Sequence, residues 1–147
     1  MKIQEITYQE CLPLWSLLWA NRVSPIEPTS AMLLPNDPMG QRVYSNIIGS
    51  PIFLGVYDND TLVGVNSYHT VGNQTRSRGL YVRGSHRGQG IGELLLRETI
   101  KRTNQVWSYP KQEALNVYLK AGFKLYSEAI VDDIENKTNF YVTYGKD

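Results

Sequence analysis

The sequence predicts one α/β domain, spanning residues 1–147, in which a mixed, mostly antiparallel sheet is flanked by helices. A chain of 147 residues with 41% hydrophobic side chains can bury one core. Three strand-like segments follow one another between Ile52 and Val82, which is typical of an antiparallel meander. A glycine-dense turn then leads into a segment with helical periodicity.

The N-terminal elements are a strand and a helix. "KIQEITY" predicts the first strand, and the apolar run from Cys11 to Ala20 predicts the first helix. This run is too short to cross a bilayer, and one lysine against two glutamates precedes it, which disfavours a secretory signal. Residues 21–40 hold four of the seven prolines and are either a loop or short helical pieces.

The meander consists of "IFLGVYD", "LVGVNSYHTV" and "TRSRGLYV". The polar residues "NDT" separate the first two strands, and Gly72 and Asn73 begin the turn into the third. We expect "TRSRGLYV" to be continuous up to the glycine-dense turn.

The second half alternates helices and strands. Ile91, Leu94 and Leu95, with Leu96 and Ile100, predict the apolar face of a helix. "QVWSY" predicts a short strand, Pro110 the first turn of another helix, and Gly122 the stop of that helix. "FKLYSEAIV" and "NFYVTYG" predict a closing hairpin around a polar loop.

Composition excludes several classes of function. The formal charge of +1 provides no overall field for nucleic acid or an anionic membrane, so neither is expected as a partner. A single cysteine excludes an internal disulfide, and with two histidines it makes a metal cluster improbable. These counts favour a protein of the reducing cytoplasm that binds no metal.

The glycine-dense turn predicts a phosphate site. Gly84, Gly88, Gly90 and Gly92 precede a helix, so unpaired amide groups would lie at a helix N-terminus with little side chain around them. A Walker loop would need Gly-Lys-Ser/Thr, whereas Ile91 and Gly92 follow Gly90. A dinucleotide fingerprint would need glycine where Glu93 stands. A domain that binds the phosphate of a nucleotide in some other way remains an alternative.

Two motifs carry a resemblance to a known family. "RGQGIG", between the strand "GLYV" and the segment "ELLL", resembles the acetyl-CoA motif Gln/Arg-x-x-Gly-x-Gly/Ala of the GNAT superfamily of N-acetyltransferases. "ALNVYLKAGFKL" resembles that family's second motif, an alanine, a tyrosine four residues later, and Gly-Phe. The specific resemblance covers residues 80–125.

The resemblance implies a fold, a cofactor and a reaction. The implied sheet splays apart between its fourth and fifth strands, and the pantetheine arm of acetyl-CoA pairs with the backbone in that gap. Tyr118 is the implied general acid, which protonates the departing thiolate. The implied cofactor-binding residues form the strand end and the turn: Leu80, Tyr81, Val82, Arg87, Gly88, Gln89, Gly90, Ile91 and Gly92.

Three roles stay open at this point. Many relatives have a glutamate on the fourth strand as base, but "TRSRGLYV" contains no carboxylate, and His69 is either a base or a structural residue. Tyr118 is either the acid or a core residue. Arg76, Arg78 and Arg83 form either a solvated face or, through one of them, a contact to the 3′-phosphate of CoA.

The expected activity is transfer of an acetyl group from acetyl-CoA to a primary amine of a small molecule or peptide. The alternative is a non-catalytic CoA-binding module of the same fold. The resemblance also implies that Asp132 and Asp133 lie near the acceptor, where they would favour a positively charged amine, unless they belong to an ordinary solvated turn. A homodimer is compatible with the sequence but not specified by it.

Overall fold

A computed structural model describes residues 1–18, 47–71, 74–132 and 137–145. At residues 47–50, 71, 74, 132 and 137 it describes the backbone alone. The proline-rich segment 21–40 and the turn at 72–73 lie outside the described residues. The elements in chain order are β1 Lys2–Ile6, α1 Tyr8–Leu18, β2 Ile47–Asp58, β3 Thr61–Val71, β4 Gln74–Ser77, β5 Tyr81–Val82, a 3₁₀ turn Gly84–His86, α2 Ile91–Arg102, β6 Val106–Ser108, α3 Gln112–Lys120, β7 Lys124–Leu125, β8 Ile130–Asp132, β9 Lys137–Asn139 and β10 Val142–Tyr144.

Eight described strands form one sheet. Their order is β1-β2-β3-β4-β6-β10-β7, and β5 pairs with β3 beyond the end of β4. Among the described pairs, β4 and β6 run parallel and the others antiparallel. The predicted mixed, mostly antiparallel sheet flanked by helices is therefore confirmed.

Helix α1 begins at a capping box. The Thr7 amide donates to Glu10 Oε1 at 2.9 Å, and the Glu10 amide donates to Thr7 Oγ1 at 3.1 Å. These reciprocal bonds satisfy amide groups that the first helical turn leaves without partners. The bond from the Thr7 amide lowers the pKa of the Glu10 carboxyl. The cap places the helix start at Tyr8, three residues before the predicted start at Cys11.

The two faces of the sheet carry different helices. Phe53 packs with α1 through Leu14 and Trp15, whereas the next residue, Leu54, packs with α2 through Leu95. Alternate residues of a strand point to opposite faces, so α1 covers one face and α2 the other. A third cluster joins α2, α3 and the end of the sheet through Leu96, Val106, Tyr118, Ala121, Phe123 and Val142.

The apolar face predicted for α2 is partly wrong. Leu94 is 40% exposed, whereas Leu96 and Thr99 are fully buried. Helix α2 contacts both the sheet and α3, so its buried face is wider than one narrow stripe.

The predicted strand "TRSRGLYV" is wrong as a continuous element, because a bulge divides it into β4 and β5. Ser67 of β3 makes two bonds to Arg78: the Arg78 amide donates to the Ser67 carbonyl at 2.9 Å, and Ser67 Oγ donates to the Arg78 carbonyl at 2.6 Å. Gly79 has a φ of +100°, and a Cβ there would lie 2.7 Å from the Trp15 ring. Both the left-handed backbone conformation and the lack of room beside Trp15 require glycine at position 79.

Two further boundaries differ from the prediction. Pro110 precedes the N-cap residue Lys111 instead of lying in the first turn of α3. The closing hairpin is interrupted: β7 pairs with β10 in the main sheet, whereas β8 and β9 form a separate two-stranded sheet.

Candidate functional site

Strands β4 and β6 form a fork. Thr75 pairs with Val106, and Arg76 pairs with Trp107. Ser77, whose hydroxyl and carbonyl groups face this junction, is the last residue of β4. Past the bulge, β5 still pairs with β3, with Val82 opposite Gly64, but among the described strands it has no pairing with β6. The two neighbouring strands therefore diverge after Ser77, which is the splay predicted between the fourth and fifth strands of the sheet.

Three hydroxyl groups lie where the strands diverge. Ser108 Oγ donates to the Ser77 carbonyl at 2.7 Å, and the Tyr118 hydroxyl oxygen lies 3.3 Å from Ser108 Oγ. Ser108 has one hydroxyl proton, which it can donate either to the Ser77 carbonyl or to the Tyr118 hydroxyl oxygen. When Ser108 donates to Tyr118, the phenol proton is not engaged by Ser108.

The end of α3 fixes Tyr118. The Phe123 amide donates to the Tyr118 carbonyl at 3.1 Å, and the Gly122 amide donates to the Leu119 carbonyl at 3.1 Å. This is a Schellman motif with Gly122 at φ +105°, which confirms the predicted helix stop. The Tyr118 and Phe123 rings meet edge to face at 5.3 Å.

Tyr118 is a core residue whose hydroxyl group lies at the fork. Its side chain is 3% exposed and belongs to the core cluster of α2 and α3, while its hydroxyl reaches the fork. Burial raises the pKa of Tyr118, and hydrogen bonds from Ser108 and Ser77 and the charge of Arg76 oppose that rise. The phenol therefore keeps its proton at neutral pH.

A buried polar network joins the fork to α2. Asn66 Nδ2 donates to Ser77 Oγ and to Thr99 Oγ1, each at 2.9 Å. Thr99 Oγ1 in turn donates to the Leu95 carbonyl at 2.9 Å. Sequence reasoning missed these residues, although Asn66 and Ser67 interrupt the apolar run of β3 and were a visible signal.

The glycine turn has the geometry of a phosphate site. Gly88 and Gly90 have φ values of +80° and +81°, and a Cβ built on either meets nothing within 4 Å. Gly90 caps α2 with no side-chain hydrogen bond, and the helix ladder begins with the Leu94 amide bonding to the Gly90 carbonyl. The earlier amides therefore point out of the helix end into open space.

Three of the other predicted cofactor residues directly precede this turn, and Arg87 lies within it. Leu80, Tyr81 and Val82 are half-buried. Arg87 Nε donates to the Val82 carbonyl at 2.9 Å, and its guanidinium lies 5.3 Å from the Tyr81 ring centre. The Val82 carbonyl can accept a second hydrogen bond, because a carbonyl oxygen has two lone pairs.

Gln89, Ile91 and Gly92 have different surroundings in the turn. Gln89 is exposed, whereas the Ile91 side chain is buried against Leu95. A Cβ on Gly92 would lie 3.1 Å from Val117, so this glycine lets α2 approach α3 closely. Only the backbone of Ile91 and Gly92 is directed to the turn.

Two side-chain hydrogen bonds hold the start of the turn. His86 Nε2 lies 2.8 Å from Asp58 Oδ2, and His86 Nδ1 lies 2.8 Å from Ser85 Oγ. These contacts fix the start of the turn to the end of β2.

His69 is buried on β3 with 3% of its surface exposed, and neither ring nitrogen has a hydrogen-bond partner among the described residues. Burial and then the charges of Arg76 and Arg78 lower the pKa of His69 to about 3. The imidazole is therefore neutral at pH 7.

The predicted acceptor residues are only partly described. The backbone of Asp132 ends β8, and Asp133 lies outside the described residues. Within the described ranges, no group of three or more His, Cys, Asp or Glu side chains is arranged to hold a metal ion. No helix in those same ranges is both long and apolar enough to span a membrane.

Comparison with known proteins places this site in a family. The profile of the acetyltransferase (GNAT) domain matches residues 49–125, just over half of the 147-residue chain. That stretch contains the fork, the glycine turn and Tyr118. A comparison with curated protein sequences finds no significant match.

Solved structures share the fold at low sequence identity. Escherichia coli ElaA superposes with a TM-score of 0.67 at 16% identity, covering 97% of this chain and 99% of that one. Arabidopsis thaliana NAA60, in complex with a bisubstrate analogue, gives 0.67 at 14% identity, with 97% and 96% covered. The IAA acetyltransferase from Bacillus cereus gives 0.61 at 16% identity, with 97% of each chain covered.

The splayed sheet, the glycine turn before α2 and the domain match agree with one another, and the chain belongs to the GNAT family of acyltransferases.

Proposed function

We propose that this protein is an N-acetyltransferase that moves the acetyl group of acetyl-CoA to a primary amine, with Tyr118 as the proton donor. The observation that carries the proposal is the position of the Tyr118 hydroxyl, 3.3 Å from Ser108 Oγ at the point where β4 and β6 diverge. A buried phenol aimed at such a gap is placed to meet a thiolate that leaves there.

The glycine turn would hold the pyrophosphate of CoA. The amides between Arg87 and Gly92 provide donors, and the left-handed glycines Gly88 and Gly90 leave the space above them open. The backbone of Leu80 and Val82 would pair with the pantetheine arm as an added strand. This arrangement directs the thioester towards Tyr118.

Acetyl-CoA supplies an acetyl group already activated as a thioester. The neutral amine forms the new C–N bond, the C–S bond breaks, and the thiolate takes the Tyr118 proton. A backbone N–H near Val82 would stabilise the negative charge that grows on the carbonyl oxygen. Tyr118 recovers its proton from the amine nitrogen through solvent, so the net products are the amide and the free CoA thiol.

The base that deprotonates the amine is not His69 in this proposal. A pKa of about 3 makes its imidazole a weak proton acceptor, because burial and two neighbouring guanidinium groups penalise the imidazolium. β4 and β5 carry no carboxylate either. An amine that arrives neutral, or loses its proton to water, needs no such base.

Several finer expectations belong to the same proposal. The enzyme acts as a single acyltransferase domain in the cytoplasm, and Asp132 and Asp133 attract the amine end of the acceptor. A homodimer is compatible with this proposal. The rival proposal, a CoA-binding module without catalysis, makes the same prediction for cofactor binding and the opposite one for turnover.

Two measurements test the proposal together. Acetyl-CoA and CoA at 100 times their dissociation constants should stabilise the fold by about 2.7 kcal/mol, seen as a raised melting temperature, and ATP or NAD should do far less. Release of free CoA thiol with a panel of amines then separates enzyme from binding module. An equal shift with ATP, or thiol release that is independent of every amine, contradicts the proposal.

A further inference from the structure

The polar network between α2 and the fork is buried throughout. It consists of Asn66 on β3, Ser77 at the end of β4 and Thr99 on α2, each at most 1% exposed. The proposed reaction uses Tyr118 and assigns no role to these three residues. Because water competes little for buried hydrogen bonds, the direction of each bond follows from the protons that each group carries.

The Thr99 hydroxyl fixes the orientation of the Asn66 amide. Thr99 Oγ1 has one proton, which it donates to the Leu95 carbonyl at 2.9 Å. The Asn66 atom that lies 2.9 Å from Thr99 Oγ1 must therefore be a donor, which is Nδ2 and not Oδ1. The second proton of Nδ2 is then available to Ser77.

Ser77 accepts a hydrogen bond from Asn66, which leaves the Ser77 proton to be donated elsewhere. The distance from Asn66 Nδ2 to Ser77 Oγ is 2.9 Å. Two described groups can accept the Ser77 proton: Asn66 Oδ1 at 3.3 Å, and the oxygen of Tyr118, whose pKa a hydrogen bond from Ser77 lowers. The contact to Oδ1 is long, so the Tyr118 oxygen is the better acceptor once it carries a negative charge.

The Tyr118 oxygen therefore has two serine hydroxyl groups as neighbours. Ser108 Oγ lies 3.3 Å away, and Ser77 contributes the other hydrogen bond. Ser108 Oγ also lies 2.7 Å from the Ser77 carbonyl, so both hydroxyl groups are attached to the end of β4. We call Ser77 and Ser108 the serine pair.

Transfer of the Tyr118 proton creates a buried charge. The phenol O–H bond breaks, an S–H bond forms on the departing CoA thiolate, and a phenolate remains until the amine proton returns through solvent. An ordinary phenol has a pKa of about 10 and a thiol one of about 8.5, and burial raises the pKa of Tyr118. The step therefore depends on groups that donate hydrogen bonds to the phenolate.

We propose that Asn66 is a positioning residue for this step, which directs the Ser77 proton to the Tyr118 oxygen so that the serine pair stabilises the phenolate. Thr99 holds the Asn66 amide in the orientation that this requires. The charge of Arg76 acts on Tyr118 in the same sense, and substitutions at Asn66 or Thr99 leave that charge in place. This inference rests on the proposed acyl transfer and adds a residue of β3 to it.

A titration of the phenol tests the proposal without turnover. Tyr118 is replaced by 3,5-difluorotyrosine, because fluorine makes the phenol more acidic and provides a ¹⁹F resonance. Asn66→Ala and Thr99→Val should each raise the pKa of this phenol by about 0.5 or more, since the phenolate loses a directed donor. Thr75→Val is the matched control, because Thr75 is also buried but its hydroxyl contacts Thr70 at 3.3 Å, and it should leave the pKa unchanged.

The direction of the change separates positioning from packing. If Asn66 only fills space, its removal admits water around the phenol, and the pKa of that phenol falls because burial raises it less. Thr99→Val keeps nearly the same side-chain shape, so it gives the same comparison if Asn66→Ala does not fold. A phenol pKa that falls or stays unchanged in Thr99→Val overturns the inference.

Kinetics connect the network to the reaction. Asn66→Ala should lower kcat for CoA thiol release by about 10-fold, with little change in the KM for acetyl-CoA. The defect should shrink with a more acidic leaving thiol and disappear in the Tyr118→Phe background, where no phenolate forms. A defect that persists in full in that background overturns the inference. Absence of amine-dependent thiol release from the parent protein, beside the expected phenol titration, would contradict the proposed function instead, so the two failures are distinguishable.

Discussion

The Tyr118 hydroxyl oxygen lies 3.3 Å from Ser108 Oγ, which itself donates to the Ser77 carbonyl at 2.7 Å. One serine hydroxyl therefore joins α3 to both branches of the fork. Because all three residues are buried, these contacts fix the position of the Tyr118 hydroxyl oxygen with little competition from water.

Ser108→Ala should destabilise the protein and slow turnover. The change leaves the Ser77 carbonyl and the Tyr118 hydroxyl without their shared partner, which costs about 1–3 kcal/mol in a buried site. Urea unfolding measures the loss. Ser16→Ala, at an exposed position on α1, should cost less than about 0.5 kcal/mol.

The kinetics of the same variant test the coupling. If Tyr118 depends on Ser108, the effects of Ser108→Ala and Tyr118→Phe on kcat should be less than additive in a double-mutant cycle. Fully additive effects would mean that the serine does not position the phenol.

Much of the fold could be predicted from the sequence because periodicity reports burial. α2 ends where its amphipathic pattern ends, and Gly122 stops α3 as expected. The bulge at Arg78 could not be predicted, because it depends on Ser67, eleven residues earlier, and on room beside Trp15. Alternation along "TRSRGLYV" contains no information about either contact.

Gly90→Ala should weaken CoA binding. Alanine at φ +81° costs about 1–2 kcal/mol, and its methyl group would enter the space above the amides at the start of α2. We expect a rise of more than about 10-fold in the dissociation constant for acetyl-CoA, measured by calorimetry.

Gly84→Ala is the control for adding a methyl group to the same turn without backbone strain, because Gly84 has open space around it and no left-handed φ. Unchanged acetyl-CoA affinity in a folded Gly90→Ala protein would contradict the assignment of the turn as the pyrophosphate site.

His69 should make the folded state less stable in acid. Its pKa is about 3 when folded and about 6.5 when unfolded. Between these values the unfolded chain binds a proton that the folded chain does not, so stability rises with pH. The slope from this residue reaches about 1.4 kcal/mol per pH unit.

His69→Leu should remove that contribution while keeping the buried volume. Thermal unfolding of the two proteins between pH 4 and 7 provides the comparison. Parallel pH curves for the wild type and His69→Leu would show that the imidazole is not held neutral by its surroundings.

The candidate site was predictable in part. Gly88, Gly90 and Tyr118 follow motifs with fixed spacing, whereas Ser77 and Ser108 meet across 31 residues through the parallel pairing of β4 and β6. Arg76 and Arg78 look like a solvated strand face in the sequence, yet both are buried because of what packs around the sheet.

Asp132→Asn combined with Asp133→Asn should raise the KM for an amine acceptor. Removing two negative charges lowers the attraction for the ammonium form, and the effect should be about 3-fold or more at low salt and vanish near 0.5 M salt. Steady-state kinetics with one acceptor at two ionic strengths measures it. A KM that is unchanged and insensitive to salt contradicts a steering role for these aspartates.

The most direct test of the account is Tyr118→Phe. The change removes one oxygen and leaves the ring to pack against Phe123, so the melting temperature and CoA affinity should change little. Tyr144→Phe, whose ring also packs against Phe123, provides the matched control and should retain parental turnover.

The measurement is kcat for CoA thiol release by Tyr118→Phe, with acetyl-CoA and with an acyl donor whose leaving thiol is more acidic. We expect kcat to fall by about 10²- to 10⁴-fold with acetyl-CoA, with little change in its KM, and the defect to shrink with the better leaving group. Parental turnover by a folded, CoA-binding Tyr118→Phe protein would contradict the account, because Tyr118 would then be a core residue and the thiolate would take its proton from elsewhere.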